Sequence, residues 1–300
     1  MGRSIRIAYN RRDASLPYLL LIPALAVAGI VLVYPLVNGI LLSFTDYTII
    51  RPVSRFVGIQ NYINQFTNPV YWEIFGNSIV MVFTSVFFQV SIGLGMALLL
   101  NSALPLREVF RSLVFMIWIM PMIVVSLLWL VMFNSDFGIV NYILERLGLI
   151  GSFISWFGEP VAAKITIILA YMWRGTPFFM VMLLAALQTI PDSIIDAAKI
   201  DGAGGFQRFL HIIIPSIVEI LILTSILSIV RLFQNIIFIQ TLTGGGPLNA
   251  TTTLAIEVYK KAFVSFRMGE ASAIGVTWLL FLFFIGYFYL RIVTKREFQR

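Results

Sequence analysis

The 300-residue sequence contains no cysteine and a single histidine, His211. Disulfide bonds and thiolate metal sites are therefore excluded, and one histidine makes a histidine-based metal site or catalytic triad implausible. Acidic residues are also few, with 14 Asp and Glu against 21 Lys and Arg, and charged residues make up only 12% of the chain. These absences argue against a metalloenzyme and against a hydrolase built on a nucleophile and a base.

Hydrophobic residues, in contrast, make up 59% of the chain, and the mean hydropathy is +0.93. That is far too apolar for a soluble domain. Because about 20 residues cross a bilayer as a helix, the apolar runs predict an all-α integral membrane protein with six transmembrane helices. The predicted spans cover residues 16–44, 76–100, 112–133, 163–189, 215–240 and 271–293.

The predicted membrane domain covers residues 16–293, between a basic tail at 1–15 and a short tail at 294–300. Its first apolar run is too long for a signal peptide and lacks a small-residue cleavage site. With the N-terminus inside, twelve Lys and Arg fall on the cytoplasmic side, seven on the outer side and two, Arg174 and Arg231, within spans. This bias predicts that both termini are cytoplasmic. The net charge of +7 is then explained by orientation and not by nucleic acid binding.

One polar stretch, residues 191–215, separates the fourth and fifth predicted spans and reads PDSIIDAAKIDGAGGFQRFLHIIIP. Ser193 and Asp196 have the spacing of a helix capping box. Gly202 can end a helix, because glycine adopts the left-handed conformation at no steric cost. We therefore predict a short helix from Ile194 to Gly202, with an alanine pair that lets another surface approach closely. An ordinary structured loop is the alternative that these residues leave open.

The run D-A-A-K-I-D-G-A at 196–203, followed by I-I-I-P at 212–215, resembles the coupling loop of ABC importer membrane subunits. The family pattern is E-A-A-x-x-D-G-A, a variable segment, then I-x-x-P, so this chain has Asp where the family usually has Glu. In that family the loop forms a coupling helix that sits in a cleft of the cytoplasmic ATPase. The resemblance implies that these residues couple the chain to an ATPase: Ile194, Asp196, Ala197, Ala198, Lys199, Asp201 and Gly202.

The predicted outer loop, residues 241–270, carries a second signature. T-G-G-G-P at 243–247, T-T-T-L at 251–254 and Y-K-K-A-F at 259–263 resemble the signature of carbohydrate-importer permeases of the maltose type. F-V-G-I-Q-N-Y at 56–62 is similar to a stretch that follows the first span in the same family. The threonine run is expected to cap the helix that follows it.

Together the resemblances cover most of the chain and imply the maltose-type permease fold, one half of a pore. Such a subunit usually pairs with a second homologous permease as a heterodimer, beside two ATPase subunits and a periplasmic or lipid-anchored solute-binding protein. No Walker motif occurs in the sequence, so we expect ATP and Mg²⁺ on the partner ATPase and no cofactor on this chain. The implied function is the import of a sugar or oligosaccharide across a bacterial or archaeal plasma membrane.

The solute pathway is predicted from polar residues inside the spans, since charged groups there are costly and usually face a cavity or a partner. Arg174 and Arg231 lie roughly 22 and 24 Å above the cytoplasmic ends of their helices, so they are expected to share one layer. Amides would hydrogen-bond a sugar, and a tryptophan would supply a flat apolar face. The candidates beside the two arginines are Trp173, Gln234, Asn235 and Gln89.

Two interpretations of the arginines stay open. Both could extend to the outer interface or bind helix ends, without touching the solute. If both line the pathway instead, an anionic solute such as a uronate oligosaccharide or glycerol phosphate is favoured over a neutral sugar.

Two other classes of protein remain as alternatives. A secondary carrier needs an ion or proton relay, whereas the span interiors hold almost no acidic residues and Glu219 and Glu270 lie near span ends. A membrane-embedded enzyme needs a nucleophile with a base or a metal constellation, which a lone His211 does not supply.

Overall fold

A computed structural model describes residues 16–50, 54–102 and 105–297. Within these ranges the chain is almost entirely helical, and β pairing is limited to one isolated bridge between Thr45 and Phe56. Five helical segments there are long and apolar enough to cross a membrane, and two further helices bent by 96° provide a sixth. The all-helical prediction is confirmed. The predicted tail at residues 1–15 lies outside the described residues.

The first span consists of α1 (Leu16–Ala28), a π-helical turn (Gly29–Val33) and α2 (Tyr34–Leu42). From Leu19 to Leu42 its side chains are not buried against the rest of the chain. An apolar helix with this exposure needs lipid or another subunit around it, because contact between apolar side chains and water is unfavourable.

Helix α3 (Gln60–Thr67) holds the next loop against the first span. Asn61 Nδ2 donates to the carbonyl oxygens of Ser43 and Thr45, each at 2.8 Å. The hydroxyl oxygen of Tyr62 lies 2.7 Å from Ser43 Oγ. These bonds satisfy backbone and hydroxyl groups in the turn after α2. The N-Y pair of the loop signature therefore has a structural role in this turn.

Helices α4 (Pro69–Asn101) and α8 (Pro160–Leu187) form the central pair of the bundle and make its most extensive helix contact. They approach closely at Gly93, where an added methyl group would lie 2.6 Å from Phe179 Cβ. Gly76 and Gly95 face open space instead. Of the three α4 glycines, only Gly93 permits close helix packing.

The third predicted span, 112–133, is two helices and not one. Helices α5 (Arg107–Ile119) and α6 (Met122–Met132) meet at a bend of 96° around Met120 and Pro121. Pro121 lacks the N–H that would continue α5, and its ring clashes with the preceding turn. The predicted span is therefore interrupted, since this proline ends the first helix instead of being accommodated in it.

The loop after α6 contains a short helix, α7 (Ile139–Arg146). Asn141 on this helix is fully buried, and Asn141 Oδ1 accepts a hydrogen bond from Trp156 Nε1 at 2.8 Å. The guanidinium carbon of Arg146 lies 5.1 Å from the centroid of the Tyr142 ring, in a cation–π contact.

The fifth predicted span, 215–240, starts earlier and ends earlier than expected. Helix α10 (Gly205–Arg208), a π-helical turn (Phe209–Ile213) and α11 (Ile214–Phe233) form one continuous helix. Pro215 was expected at the start of the span but lies well inside it. The π turn directly before Pro215 lets the helix continue past a residue that has no N–H to donate.

Helix α12 (Ile237–Leu242) occupies the end of the fifth predicted span, the predicted outer loop holds α13 (Leu254–Tyr259), and α14 (Met268–Glu297) is the last span. The predicted threonine cap of α13 is wrong, because Thr253 makes no side-chain capping bond. Ser78 Oγ on α4 instead accepts a hydrogen bond from Leu254 N at 2.9 Å. A residue distant in sequence thus caps this helix.

The glycines of the outer-loop signature form a turn that the threonines stabilise. Gly244 and Gly245 have φ values of +60° and +92°, a conformation that glycine adopts without steric cost. Thr252 Oγ1 donates to the carbonyl oxygen of Gly245 at 2.8 Å, and Thr251 Oγ1 donates to that of Gly246 at 2.6 Å. The threonine run therefore supports the turn before it and not the helix after it.

Gly93→Ala is expected to lower the free energy of unfolding by about 1–3 kcal/mol, because the methyl group would push α4 away from α8. Gly95→Ala is the matched control, since its methyl group would meet no atom within 4 Å. Thermal unfolding in detergent, followed by helical circular dichroism, compares the two variants. An equal loss of stability in both would contradict the close contact at Gly93.

Candidate functional site

A cavity of about 570 Å³ lies between α4, α5, α6, α8 and α11. Both span arginines, Arg174 and Arg231, line it. Three of the four predicted polar or aromatic candidates also line it, namely Gln89, Gln234 and Asn235. The fold thus brings to one place residues that are widely separated along the chain.

The cavity lies beside two helix breaks. Helix α5 ends at Ile119, just before Met120 and Pro121. Helix α11 ends at Phe233, and three residues separate it from α12. Helix ends leave backbone groups unpaired, and within a membrane such groups are tolerated where they face protein or a water-filled cavity. Arg174 Nη2 lies 3.4 Å from the carbonyl oxygen of Met120 at the first break. A cation is favoured there, because a helix carries partial negative charge at its carboxyl end.

Arg231 is held by aromatic stacking. Its guanidinium carbon lies 5.2 Å from the centroid of the Phe178 ring. That ring stacks on Trp118, with centroids 6.0 Å apart and planes 18° apart. A cation above an aromatic face is attracted by the ring quadrupole and does not use up its N–H donors. Arg231 therefore has a defined position with hydrogen-bond donors to spare.

Gln89 has a positioning role in the packing. It is 1% exposed, and Nε2 donates to the carbonyl oxygen of Tyr171 at 2.8 Å. Gln89 Oε1 accepts from Ser228 Oγ at 2.7 Å. A side chain on Gly175 would overlap the Gln89 amide, so this glycine leaves room for it. The amide thereby joins α4, α8 and α11 beside the cavity.

The two amides at the second break differ. Asn235 Oδ1 accepts from Phe238 N at 3.0 Å in the first turn of α12, and Asn235 Nδ2 lies 2.7 Å from Met122 Sδ. The Asn235 side chain therefore pairs with a backbone N–H group at the break between α11 and α12. Gln234 is exposed and makes no side-chain hydrogen bond with a described residue, so its amide is available to a solute.

Trp173 is not among the described residues that line the cavity. Its ring packs edge-on against Trp129, with centroids 6.2 Å apart. The flat apolar surface at the cavity comes from Trp118 and Phe178 instead. Sequence reasoning did not select these two residues. The place of Trp118 in the cavity depends on the bend between α5 and α6. Pro121 was the available signal for that bend.

Tyr171 was also missed. It lines the cavity and is 4% exposed, and its hydroxyl oxygen is buried without a hydrogen-bond partner among the described residues. Arg174 Nε is also buried, and it has no hydrogen-bond partner among the described residues. Buried polar atoms without partners are costly, and both atoms belong to residues that line this cavity.

The loop at 191–215 contains the predicted short helix, α9 (Asp192–Ile200). The predicted capping box is wrong, because the N-cap is Pro191 and no side chain caps the helix. Asp196 does not reach back to the N-terminus of the helix. It accepts a hydrogen bond from Lys199 Nζ at 2.8 Å instead. The pairing of these motif residues is thus internal to α9.

The D-G-A part of the motif ends α9 in a Schellman turn. Asp201 is the C-cap, and Gly202 has a φ of +78°. Ala203 N donates to the carbonyl oxygen of Ala198 at 2.9 Å, and Gly202 N donates to that of Lys199 at 3.1 Å. This is the hydrogen-bond pattern expected when glycine takes the left-handed position after a helix. The prediction that Gly202 ends the helix is confirmed.

The solvent-exposed face of α9 carries apolar and small residues. Ile194 is 47% exposed and Ile200 is 87% exposed, and Ala197 is exposed as well. Ala198 is buried, so only one alanine of the predicted pair is available to another surface. Exposed isoleucines on an otherwise polar loop are typical of a surface that another protein covers.

Residues 89–299 match the protein family described as the inner membrane component of binding-protein-dependent transport systems. The chain belongs to this family. Its members are membrane subunits of transporters, and both the cavity and α9 lie within the matched region.

Relatives of this transporter subunit match it along nearly their whole length. The trehalose/maltose transport system permease protein MalF of Thermococcus litoralis is 34% identical over 95% of this chain and 96% of the relative. The sulfoquinovosyl glycerol transport system permease protein SmoG of Agrobacterium fabrum is 32% identical over 95% of this chain and 92% of the relative.

The fold of the transporter subunit also matches a solved structure. A chain of a bacterial alginate ABC transporter, in complex with an alginate pentasaccharide-bound periplasmic protein, aligns with a TM-score of 0.80. The alignment covers 93% of each chain at 20% sequence identity. The arrangement of the helices is therefore that of an ABC importer permease.

Gln89→Leu is expected to cost about 1–3 kcal/mol of stability, because it leaves the Ser228 hydroxyl and the Tyr171 carbonyl without their shared partner. Gln60→Leu is the control, since that amide makes an exposed bond to Asn64. Thermal unfolding of the two purified variants is the measurement. Equal stability of Gln89→Leu and the unaltered protein would show that this buried network contributes nothing.

Proposed function

We propose that this chain is the permease subunit through which an ATP-driven importer translocates a sugar or oligosaccharide. The observation that carries the proposal is a cavity with aromatic rings and free hydrogen-bond donors, in a chain of this transporter family. Apolar contact with Trp118 and Phe178 suits the apolar part of a sugar ring, and Gln234 suits its hydroxyl groups. The names of two relatives, which refer to trehalose/maltose and sulfoquinovosyl glycerol, support a saccharide as the solute.

The energy for transport comes, in this proposal, from ATPase subunits that bind α9. The apolar side chains of Ile194 and Ile200 and the exposed Ala197 form the contact, with the Asp196–Lys199 pair at its edge. ATP and Mg²⁺ are held by the ATPase and not by this chain. The excess of Lys and Arg on that side supports a cytoplasmic position for α9, where the ATPase would be available.

A rigid connection links α9 to the cavity. After the Schellman turn, the segment Gly205–Phe233 is one helix of 29 residues. At a rise of 1.5 Å per residue it extends roughly 43 Å, and Arg231 lies near its far end. A displacement of α9 therefore reaches the cavity without being absorbed in a flexible segment. Closure of the ATPase dimer would rock this helix and switch the cavity between inward-open and outward-open states.

The remaining partners complete the pore and deliver the solute. A second, homologous permease would cover the exposed first span and the open side of the cavity. A solute-binding protein would dock on the outer loops. The alginate transporter structure with its periplasmic protein supports this assembly by similarity of fold.

The test of function is ATP hydrolysis by the complex that co-purifies with this chain, reconstituted in lipid with its binding protein. We expect hydrolysis to increase when a saccharide from a panel of neutral and acidic sugars is added. The proposal would be contradicted if no ATPase copurified with the chain, or if no saccharide changed the rate of ATP hydrolysis. Either result would favour a secondary carrier.

Gly202→Pro is expected to abolish the stimulation of ATP hydrolysis by solute, while the complex still assembles. Proline cannot adopt the φ of +78° found at this position, and it removes the N–H that closes the Schellman turn. Gly205→Ala is the control, because a methyl group there meets no atom within 4 Å. Full stimulation in Gly202→Pro would show that the end of α9 is not needed for coupling.

A further inference from the structure

The cavity is positively charged and contains no compensating acid among the described residues that line it. Arg174 and Arg231 both face it, and the ion pairs of Glu108, Asp196 and Glu270 are made with other Lys and Arg residues. Two cations without an acid beside them are expensive at membrane depth, and such residues usually mark a solute or ion pathway. An anionic group at this cavity would therefore have to come from beyond its described lining.

Structural roles account for only part of these charges. Arg174 reaches a helix-end carbonyl with one nitrogen, at the long distance of 3.4 Å, and its Nε has no partner. Arg231 contacts the Phe178 ring and donates no hydrogen bond to a described residue. A stacked guanidinium presents its donors in a planar fork that matches a carboxylate or a similar oxyanion.

We propose that the transported saccharide is acidic, and that Arg231, assisted by Arg174, binds its anionic group in this cavity. The inference rests on the proposed function as a saccharide importer and names the class of saccharide. A carboxylate, sulfonate or phosphate group has the same chemistry toward this fork. Trp118 and Phe178 supply apolar contacts to the sugar, and the Gln234 amide binds its polar groups. A volume of about 570 Å³ suits one or two sugar units.

The test uses the reconstituted complex and matched pairs of sugars that differ only in a carboxylate in place of a hydroxymethyl group. The pairs are glucose with glucuronate, and cellobiose with the cellobiose derivative oxidised to a uronate at one end. Equilibrium binding to the complex is measured without the binding protein, so that the selectivity of the membrane subunits is observed directly. ATP hydrolysis with the binding protein is measured in parallel.

We expect the acidic member of a pair to bind at least about tenfold more tightly than the neutral one, because charge-assisted hydrogen bonds are the stronger kind. Arg231→Gln should remove about tenfold of the affinity for the acid and lower the affinity for the neutral sugar much less, because only the acid loses a charge-assisted bond. Arg231→Lys should retain part of it, since the charge remains but the fork is lost. Arg146→Gln, which removes a guanidinium that also contacts an aromatic ring but lies outside the cavity, should change neither affinity.

Two results would overturn the proposal. Equal binding of both members of each pair, with Arg231→Gln weakening both alike, would mean that the arginines are neutralised within the complex, for example by carboxylates of the second permease. Saccharide import would then stand, provided that a neutral sugar stimulates ATP hydrolysis. If no sugar bound to the complex and none stimulated ATP hydrolysis, both the proposed function and this inference would be wrong.

Discussion

The backbone of this chain must satisfy its own hydrogen bonds, because hydrocarbon offers no partners. The described spans meet this constraint as helices, and the two breaks in them lie beside the cavity. At one break Arg174 approaches the carbonyl oxygen of Met120, and at the other Asn235 accepts from Phe238 N. The broken backbone and the cavity therefore depend on each other. The cavity keeps the polar backbone groups at the breaks out of contact with hydrocarbon, and the breaks leave space for the cavity between α5 and α11.

The position of the cavity is maintained by the contact between α4 and α8. Gly93 allows these helices to approach closely, and Gly175 leaves room for the Gln89 amide between them. Gln89 then binds Ser228 on α11, which fixes the helix that carries Arg231. The two arginines belong to different spans, so their joint presence at the cavity depends on this packing. A rigid frame of this kind is also what a helix needs to transmit movement from α9.

The sequence determined much of this architecture by composition and local chemistry. The apolar runs established the helical membrane fold, and Gly202 predicted the end of α9, because a left-handed residue after a helix is a local requirement. The motif at 196–203 and the outer-loop signature indicated the correct transporter family before any contact was known. Helix rise predicted that Arg174 and Arg231 share one layer, and both line the same cavity, although the fifth span begins earlier than expected and includes a π-helical turn.

Only the tertiary structure decided which side chains meet. Ser78 caps α13 in place of the adjacent threonine, and Trp118 takes the place expected of Trp173. Both differences have one physical reason. A capping bond or an aromatic wall is satisfied by whichever group packing brings within reach, and the bend at Pro121 redirects α5 toward the cavity. Local patterns specify which elements form, but contacts between elements depend on breaks and packing that bring distant residues together.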